Sequence, residues 1–322
     1  MNYIVITSIN DLTKAVEDFS KQENSHVIIV GDKKSIQYKY ENVTYLNIHD
    51  QIKLSFNSIK TTPYNHYSRK NIGYLYAIQN GAETIYDTDD DTIPYKNWKI
   101  RDFMCDKLIK GSVNINAYKL FTNQKVWPRG LNLSAINKNE KFEESTHNCK
   151  IGVWQGVIDG DSDFDAIYRL TVNEHIIFDK KQDVAIDRNC YAPFNTQSTL
   201  WNNELYCLMY IPISVDFRFT DILRGYIAQR VMWDYGYKLG FHSANTYQVR
   251  NEHDYYKDFI GELSMYQQVP IVIDILQSIK LMNKNIQEDL VRIYQILCDY
   301  NVVRKCELDN LSNWINDLNQ IQ

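Results

Sequence analysis

Thr84-Ile85-Tyr86-Asp87-Thr88-Asp89-Asp90-Asp91 decides how this chain of 322 residues is read. A short apolar run leads straight into four carboxylates spread over five positions. Like charges this close repel and raise each other's pKa, so the run is tolerable only where water or a cation neutralises it. Hard oxygen ligands suit Mg²⁺, Mn²⁺ or Ca²⁺, and Mg²⁺ in particular is held by one or two carboxylates together with substrate phosphates. The stretch reads as a buried strand with a metal–diphosphate site at its carboxyl end, where open α/β sheets place their ligands. A solvated acidic turn is the competing reading. The residues just before it favour the strand, because Asn71 to Ala82 is an apolar helical run that Gly81 closes and that feeds directly into it.

Working back from that stretch, Tyr3 to Ile6 reads as a first strand and Asp11 to Phe19 as the helix after it. His26-Val27-Ile28-Ile29-Val30 followed by Gly31-Asp32 has the form of a central parallel strand whose carboxyl end faces a ligand, with Asp32 able to accept from a base or ribose. A turn or helix-capping role explains Asp32 as well. Val43 to Ile48 gives a third strand and His49 to Ile59 a helical connector. Arg69 and Lys70 lie at the start of the Asn71 helix, where backbone N–H groups already favour anions, so the pair suits a diphosphate.

Downstream, Arg101 to Leu108 reads as a helix and Ser112 to Asn116 as a strand. Trp127-Pro128-Arg129-Gly130 is a rigid loop whose chemistry the residues alone do not disclose. The second acid-rich stretch, Gly156 to Leu170, alternates Asp159, Asp161, Asp163 and Asp165 but lacks the glycine and terminal glutamate of a calcium loop. It is expected to line the same cleft as the first cluster. Thr220-Asp221 opens a helix, and a carboxylate there stays ionised and available as a base, although capping alone would account for it. From Leu263 onward the pattern is helical and amphipathic, giving a module that packs on the core or on a partner copy. The expected division is a catalytic domain over 1–262 and a helical module over 263–322.

Composition is globular, with 44% hydrophobic and 23% charged residues, and no repeat or low-complexity segment interrupts it. A formal net charge of −5 argues against a nucleic-acid partner, which needs a concentrated basic face. The six cysteines form no C-x-x-C pair and read as free thiols of a reducing compartment. No run is long enough to span a membrane, so a cytoplasmic protein is expected, with peripheral membrane association left open.

The block Tyr64 to Ala82 with Ile85 to Asp91 closely resembles the STELLO glycosyltransferases. The likeness continues through Trp127-Pro128-Arg129-Gly130, Asp163 to Leu170, Thr220 to Arg230 and Arg250-Asn251-Glu252-His253. A fainter similarity, in the triple aspartate and in Ser162-Asp163-Phe164-Asp165-Ala166, links the chain to the reversibly glycosylated polypeptides, which are UDP-arabinopyranose mutases. Both resemblances imply a GT-A fold: a Rossmann-like mixed central sheet flanked by helices, with an acidic metal motif at a strand end. STELLO proteins are typically anchored in the Golgi membrane, and this chain opens directly on its first strand, so Golgi placement is not carried over.

The resemblance implies transfer of a sugar from a nucleoside diphosphate donor, UDP foremost, to a hydroxyl of a glycan. Asp89 and Asp91 are expected to hold Mn²⁺ or Mg²⁺ against the diphosphate, with His242 or His253 as a late ligand. Thr7, Asp32, Arg69, Lys70, Asp87, Asp89 and Asp90 are expected around the nucleotide sugar. Asp221 is the expected general base, with Asp163 and Asp165 as rivals. A UDP-sugar mutase, and a non-catalytic scaffold that keeps the fold, are the alternatives.

Overall fold

Val5, Ile28 and Val30 alternate along their strands with Ile4, Ile6, Val27 and Ile29, and the two sets enter two different hydrophobic clusters. A sheet that is apolar on both faces must be covered on both, which is the signature of parallel α/β architecture. The computed structural model describes residues 1–249, 254–282 and 285–321 and shows this arrangement. Strands β1 (Asn2–Thr7), β2 (Ser25–Val30) and β3 (Val43–Leu46) alternate with α1 (Lys14–Ser20) and with the short helices α2 (Ile48–Lys53) and α3 (Ser58–Thr61). Helix α4 (Lys70–Gln79) then leads into β4 (Thr84–Thr88). These four strands are parallel in the order β4-β1-β2-β3.

Helix α4 lies close on this half-sheet. A Cβ on Gly73 would come within 2.5 Å of Val30 and 2.7 Å of Val5, so only glycine lets the helix approach as it does. Gly81, at φ +75, ends it in the left-handed conformation expected of a helix-stopping glycine. That close seat puts Lys70, at the start of α4, directly behind the acid cluster.

The second half of the sheet is mixed. After β5 (Thr92–Pro94) come β6 (Met104–Lys110), β7 (Glu143–Gly156), the two-residue β8 (Asp159–Gly160), α5 (Ala166–Thr171), β9 (Val184–Ile186) and β10 (Ser198–Asn202). The chain ends with α6 (Thr220–Asp234), β11 (Tyr237–His242), β12 (Thr246–Gln248), α7 (Tyr255–Ser278), α8 (Ile286–Asp299) and α9 (Cys306–Ile321). Strand β10 runs antiparallel to β4, pairing Ser198 with Thr88, and β7, β6, β9 and β11 complete a nine-stranded sheet. A separate three-stranded sheet, β5-β12-β8, sits beside the acid cluster. This mixed sheet with flanking helices and C-terminal helices is the architecture expected of the GT-A class.

Two local expectations are corrected. Residues 101–108 do not form a helix; β6 occupies Met104–Lys110 and pairs with β7 and β9. Its buried Cys105 and Ile109 stand four apart, a spacing that a helix turn and two strand repeats share, so the local pattern could not separate them. Residues 112–116 make only an isolated bridge, Asn114 to Tyr191. Residues 262 and 263 lie within helix α7. Glu262 there is buried, accepting from Ala166 N and pairing with Arg218. Among the described residues no helix is long and apolar enough to cross a membrane. All six cysteines are free.

Candidate active site

In the order β4-β1-β2-β3 the chain leaves β1 toward β2 on one side and reaches β4 on the other, so the carboxyl ends of β1 and β4 diverge and open a crevice between their loops. A cleft of about 630 Å³ lies there. It gathers Thr7, Asp32, Arg69, Asp89, Asp90, Asp91, Asp163 and Asp221 from segments more than 200 residues apart in sequence. Residues that the sequence did not single out, among them Tyr67, Thr196, Gln197, Phe217, Arg218 and Gln248, also line it.

The four aspartates of the cluster have four different environments. Asp87 is fully buried and lies between two cations, 2.7 Å from Lys70 Nζ and 3.0 Å from Arg224 Nη1. It therefore anchors α4 and α6 to β4 beneath the cleft instead of facing a ligand. Asp89 lines the cleft, where its Oδ1 accepts from Tyr67 Oη at 2.6 Å and from Lys70 Nζ at 3.2 Å. Burial pushes the Asp89 carboxyl above the ordinary carboxylate range, against the pull of Lys70 and Tyr67. Asp90 accepts from Ser8 Oγ and from Asn10 Nδ2, and its backbone carbonyl accepts from Thr13 Oγ1, which ties the acid loop to the exit of β1. Asp91 accepts from Gln248 Nε2 at 3.0 Å, joining the loop to β12.

Arg69 and Lys70 do not stand at the cleft as free cations. Arg69 donates to Thr62 O and Gln51 Oε1, and burial lowers its pKa. Lys70 is wholly buried and is committed to Asp87, Asp89 and the Thr88 carbonyl, which it reaches at 2.6 Å. The helix that carries them supplies counter-charge to the carboxylates from behind. Of the other cations lining the cleft, Lys34 is exposed and forms no ion pair among the described residues. Asp32 sits on the β2 side, its two oxygens taken by Lys33 N and Asn65 N at 2.7 and 2.6 Å.

The Trp127-Pro128-Arg129-Gly130 loop, silent in the sequence, organises the opposite wall. Gly130 has φ +86, and a Cβ there would meet Ile222 at 2.5 Å, so glycine is required for the loop to lie against α6. Arg129 then reaches both candidate bases. It donates to Asp163 Oδ1 and Oδ2 through Nε, at 2.9 and 3.1 Å, and grips Asp221 at both oxygens. Asn195 Nδ2 adds a further donor to Asp163 at 2.9 Å. Burial would raise the Asp163 pKa, but Arg129 outweighs it and holds the carboxyl below its usual range. The signal that could have found Arg129 was a rigid Pro-Arg-Gly loop in a chain with unpaired helix-start carboxylates.

Two other expected residues lie elsewhere, and a third is not described. Asp165 is not at the cleft: it caps α5, accepting from Tyr168 N and from Trp127 Nε1, and burial pushes its pKa up to about 7. His242 is buried beside Trp154 with Nδ1 bonded to Ser243 O, and burial drives its pKa down to about 3. It does not line the cleft. His253, like Arg250-Asn251-Glu252, falls outside the described residues.

Asp89 and Asp91 present hard carboxylate oxygens at the cleft, the donor type that a divalent cation such as Mg²⁺ takes. Among the described residues no three His, Cys, Asp or Glu side chains form a ready-made cage. Mg²⁺ needs none, since one or two carboxylates suffice when substrate phosphates and water complete its sphere.

The family model described as STELLO glycosyltransferases matches residues 218–322, beginning at Arg218 on the cleft wall. The proteins named "Probable glycosyltransferase STELLO2" and "Probable glycosyltransferase STELLO1", both of Arabidopsis thaliana, are each 24% identical to the chain over 341 residues. Those alignments cover 98% of this chain and 44% of each relative, so the chain spans less than half the length of the curated relatives it matches. Over nearly its whole length, therefore, the chain is similar to the STELLO glycosyltransferases.

Proposed function

We propose that the cleft binds a nucleoside diphosphate sugar, with UDP as the nucleotide, and transfers the sugar to a hydroxyl of a glycan acceptor. The observation that carries this reading is the meeting of Asp89, Asp90 and Asp91 with Arg129, Asp163 and Asp221 in one cleft at the carboxyl ends of β1 and β4. Thr7, Asp32 and Asn65 border the nucleoside end, and Lys34 is a cation there that forms no ion pair among the described residues. Asp89 and Asp91 would hold Mn²⁺ or Mg²⁺, which would supply charge neutralisation to the departing diphosphate.

Asp221 is the better of the two candidate bases. Asp163 is gripped by Arg129 and Asn195 together and is held acidic, which weakens it as a proton acceptor. Among the described residues Asp221 accepts hydrogen bonds from Arg129 alone, at the first turn of α6, and retains lone pairs for an acceptor hydroxyl. Arg129 fixes its direction.

The reading is tested by calorimetric titration of UDP with and without Mn²⁺. Wild-type protein is expected to bind UDP only with the metal, and Asp89→Asn and Asp91→Asn to weaken that binding at least tenfold. Asp221→Asn should keep UDP affinity and lose sugar transfer. Metal-independent binding, or none, overturns the proposal.

A further inference from the structure

Two buried glutamines on the cleft wall hold carbonyl oxygens to which no described residue donates. Gln197 is 8% exposed and Gln248 5% exposed, and both line the cleft. Neither Oε1 has a hydrogen-bond partner. The orientation of Gln248 follows from chemistry: its Nε2 donates to Asp91 Oδ2 at 3.0 Å, and a carboxylate oxygen can only accept. Its Oε1 is therefore the atom left over. Gln197 is bonded through its backbone, N to Asn195 Oδ1 and O from Thr88 Oγ1, while its side-chain amide makes no bond among the described residues.

Both positions are fixed by strand register. Gln197 immediately precedes β10, whose Ser198 pairs with Thr88, and Gln248 pairs with Thr92 across β5. Neither side chain is on a loose loop that could turn outward. Buried amide oxygens are normally satisfied, and leaving one unpaired costs stability. Gln248 lacks a donor and the Gln197 amide offers an acceptor and donors together, and an uncharged ligand rich in O–H groups, which both donate and accept, is a sugar. Gln248 is bonded to Asp91, at the end of the acid cluster, so the hydroxyls within its reach belong to the group attached to the diphosphate.

We infer that Gln197 and Gln248 read hydroxyls of the sugar carried by the nucleotide donor, and that they set the cleft to accept a neutral sugar with free hydroxyls. This rests on the reading of the cleft as a nucleoside diphosphate sugar site. A uronic acid would set its carboxylate against the Gln248 oxygen and the nearby Asp163 and Asp221, all of which only accept or repel. The two glutamines thus act as specificity residues beside the reacting centre.

The test compares UDP with UDP-glucose, UDP-galactose, UDP-xylose and UDP-glucuronate by calorimetry in Mn²⁺, for wild type, Gln197→Leu and Gln248→Leu. At least one neutral sugar should bind more tightly than UDP, and UDP-glucuronate should not. Gln197→Leu should keep UDP affinity within about twofold and close most of the gap, roughly tenfold for one hydrogen bond to a neutral group. Its melting temperature without ligand should be unchanged or higher, because leucine removes an unpaired polar group. A gap that survives in both variants overturns the assignment, and so does a surviving gap with a raised acceptor KM, which would give the glutamines to the acceptor. Failure of wild type to bind UDP overturns the cleft reading and this assignment with it, whereas UDP binding with an unaltered gap overturns this assignment alone.

Discussion

Arg129 and Asp221 face each other in a two-point contact, Nη1 to Oδ1 at 3.1 Å and Nη2 to Oδ2 at 2.8 Å, while the Nε of the same guanidinium holds Asp163. All three side chains are more than nine-tenths buried. One cation thus balances two carboxylates across the junction of the Pro-Arg-Gly loop, the second acid stretch and α6. A lysine cannot replace it, since a single ammonium has no planar fork to bridge both partners.

Arg129→Met should therefore cost about 3–5 kcal/mol, the price of leaving buried carboxylates uncompensated. Urea denaturation measures it. Adding Asp163→Asn and Asp221→Asn to that variant should restore a large part of the loss, because the charges that Arg129 balanced are gone. If the triple change is as unstable as Arg129→Met alone, packing and not charge accounts for the arginine.

Lys70 performs the same service beneath the acid cluster. It is wholly buried and touches Asp87 and Asp89 at 2.7 and 3.2 Å, with Arg224 sharing Asp87 from α6. Lys70→Met should lower stability by about 3 kcal/mol or more in urea denaturation, since Arg224 compensates Asp87 alone. Lys70→Met combined with Asp89→Asn should recover part of that loss. Equal stability of Lys70→Met and wild type would show that water screens the cluster.

Two buried groups give stability opposite dependences on pH. The Asp165 carboxyl is raised in the folded state to about 7 from an ordinary 3.8, so the folded protein binds its proton more tightly than the unfolded chain. Its contribution is full below about 3.8 and is lost as pH rises toward 7. His242 is lowered to about 3 from 6.5, so the unfolded chain binds the proton more tightly, and stability is lost as pH falls from 6.5 toward 3. The two windows overlap and oppose each other. Asp165→Asn should make melting temperature fall more steeply on acidification between pH 6.5 and 4, and His242→Gln should make it fall less. Parallel curves for wild type and both variants would sink the assignment of these slopes.

The half of the candidate site that follows local rules is legible in the sequence. Strand, helix and acid loop are contiguous around Asp89, and each reads from its own spacing, so β1, β2, α4 and β4 were found close to their true bounds. What it could not disclose depends on long-range pairing. Strand β6 was mistaken for a helix because its partner β7 lies some 40 residues further on, and Cys105 pairs with Cys149 only in the fold. The reach of Arg129 to Asp221, 92 positions away, is invisible for the same reason. Lys70 was read as a cation for phosphate because a helix start attracts anions, but Gly73 seats the helix so deeply that its charge meets Asp87 first.

The C-terminal helices supply buried partners to the sheet half, which bears on whether residues 263–322 could be removed. Glu307 in α9 is buried and accepts from Tyr210 Oη, from Ile213 N at 3.0 Å and from Ser214 N at 2.8 Å. Asp317 accepts from Asn57 N and Ser58 N at 2.7 and 2.8 Å, satisfying the start of α3, and Trp314 Nε1 donates to the Cys207 carbonyl. These are donors and acceptors of the sheet half that are met from α9. Asp317→Ala should cost about 1–3 kcal/mol through the orphaned amides, measured by urea denaturation against wild type. A fragment of residues 1–262 would lose all of these partners and the apolar faces of α8 and α9 together. It should show no cooperative thermal transition and should expose hydrophobic surface to a dye, whereas a sharp transition near the full-length melting temperature would establish the first 262 residues as an independent folding unit.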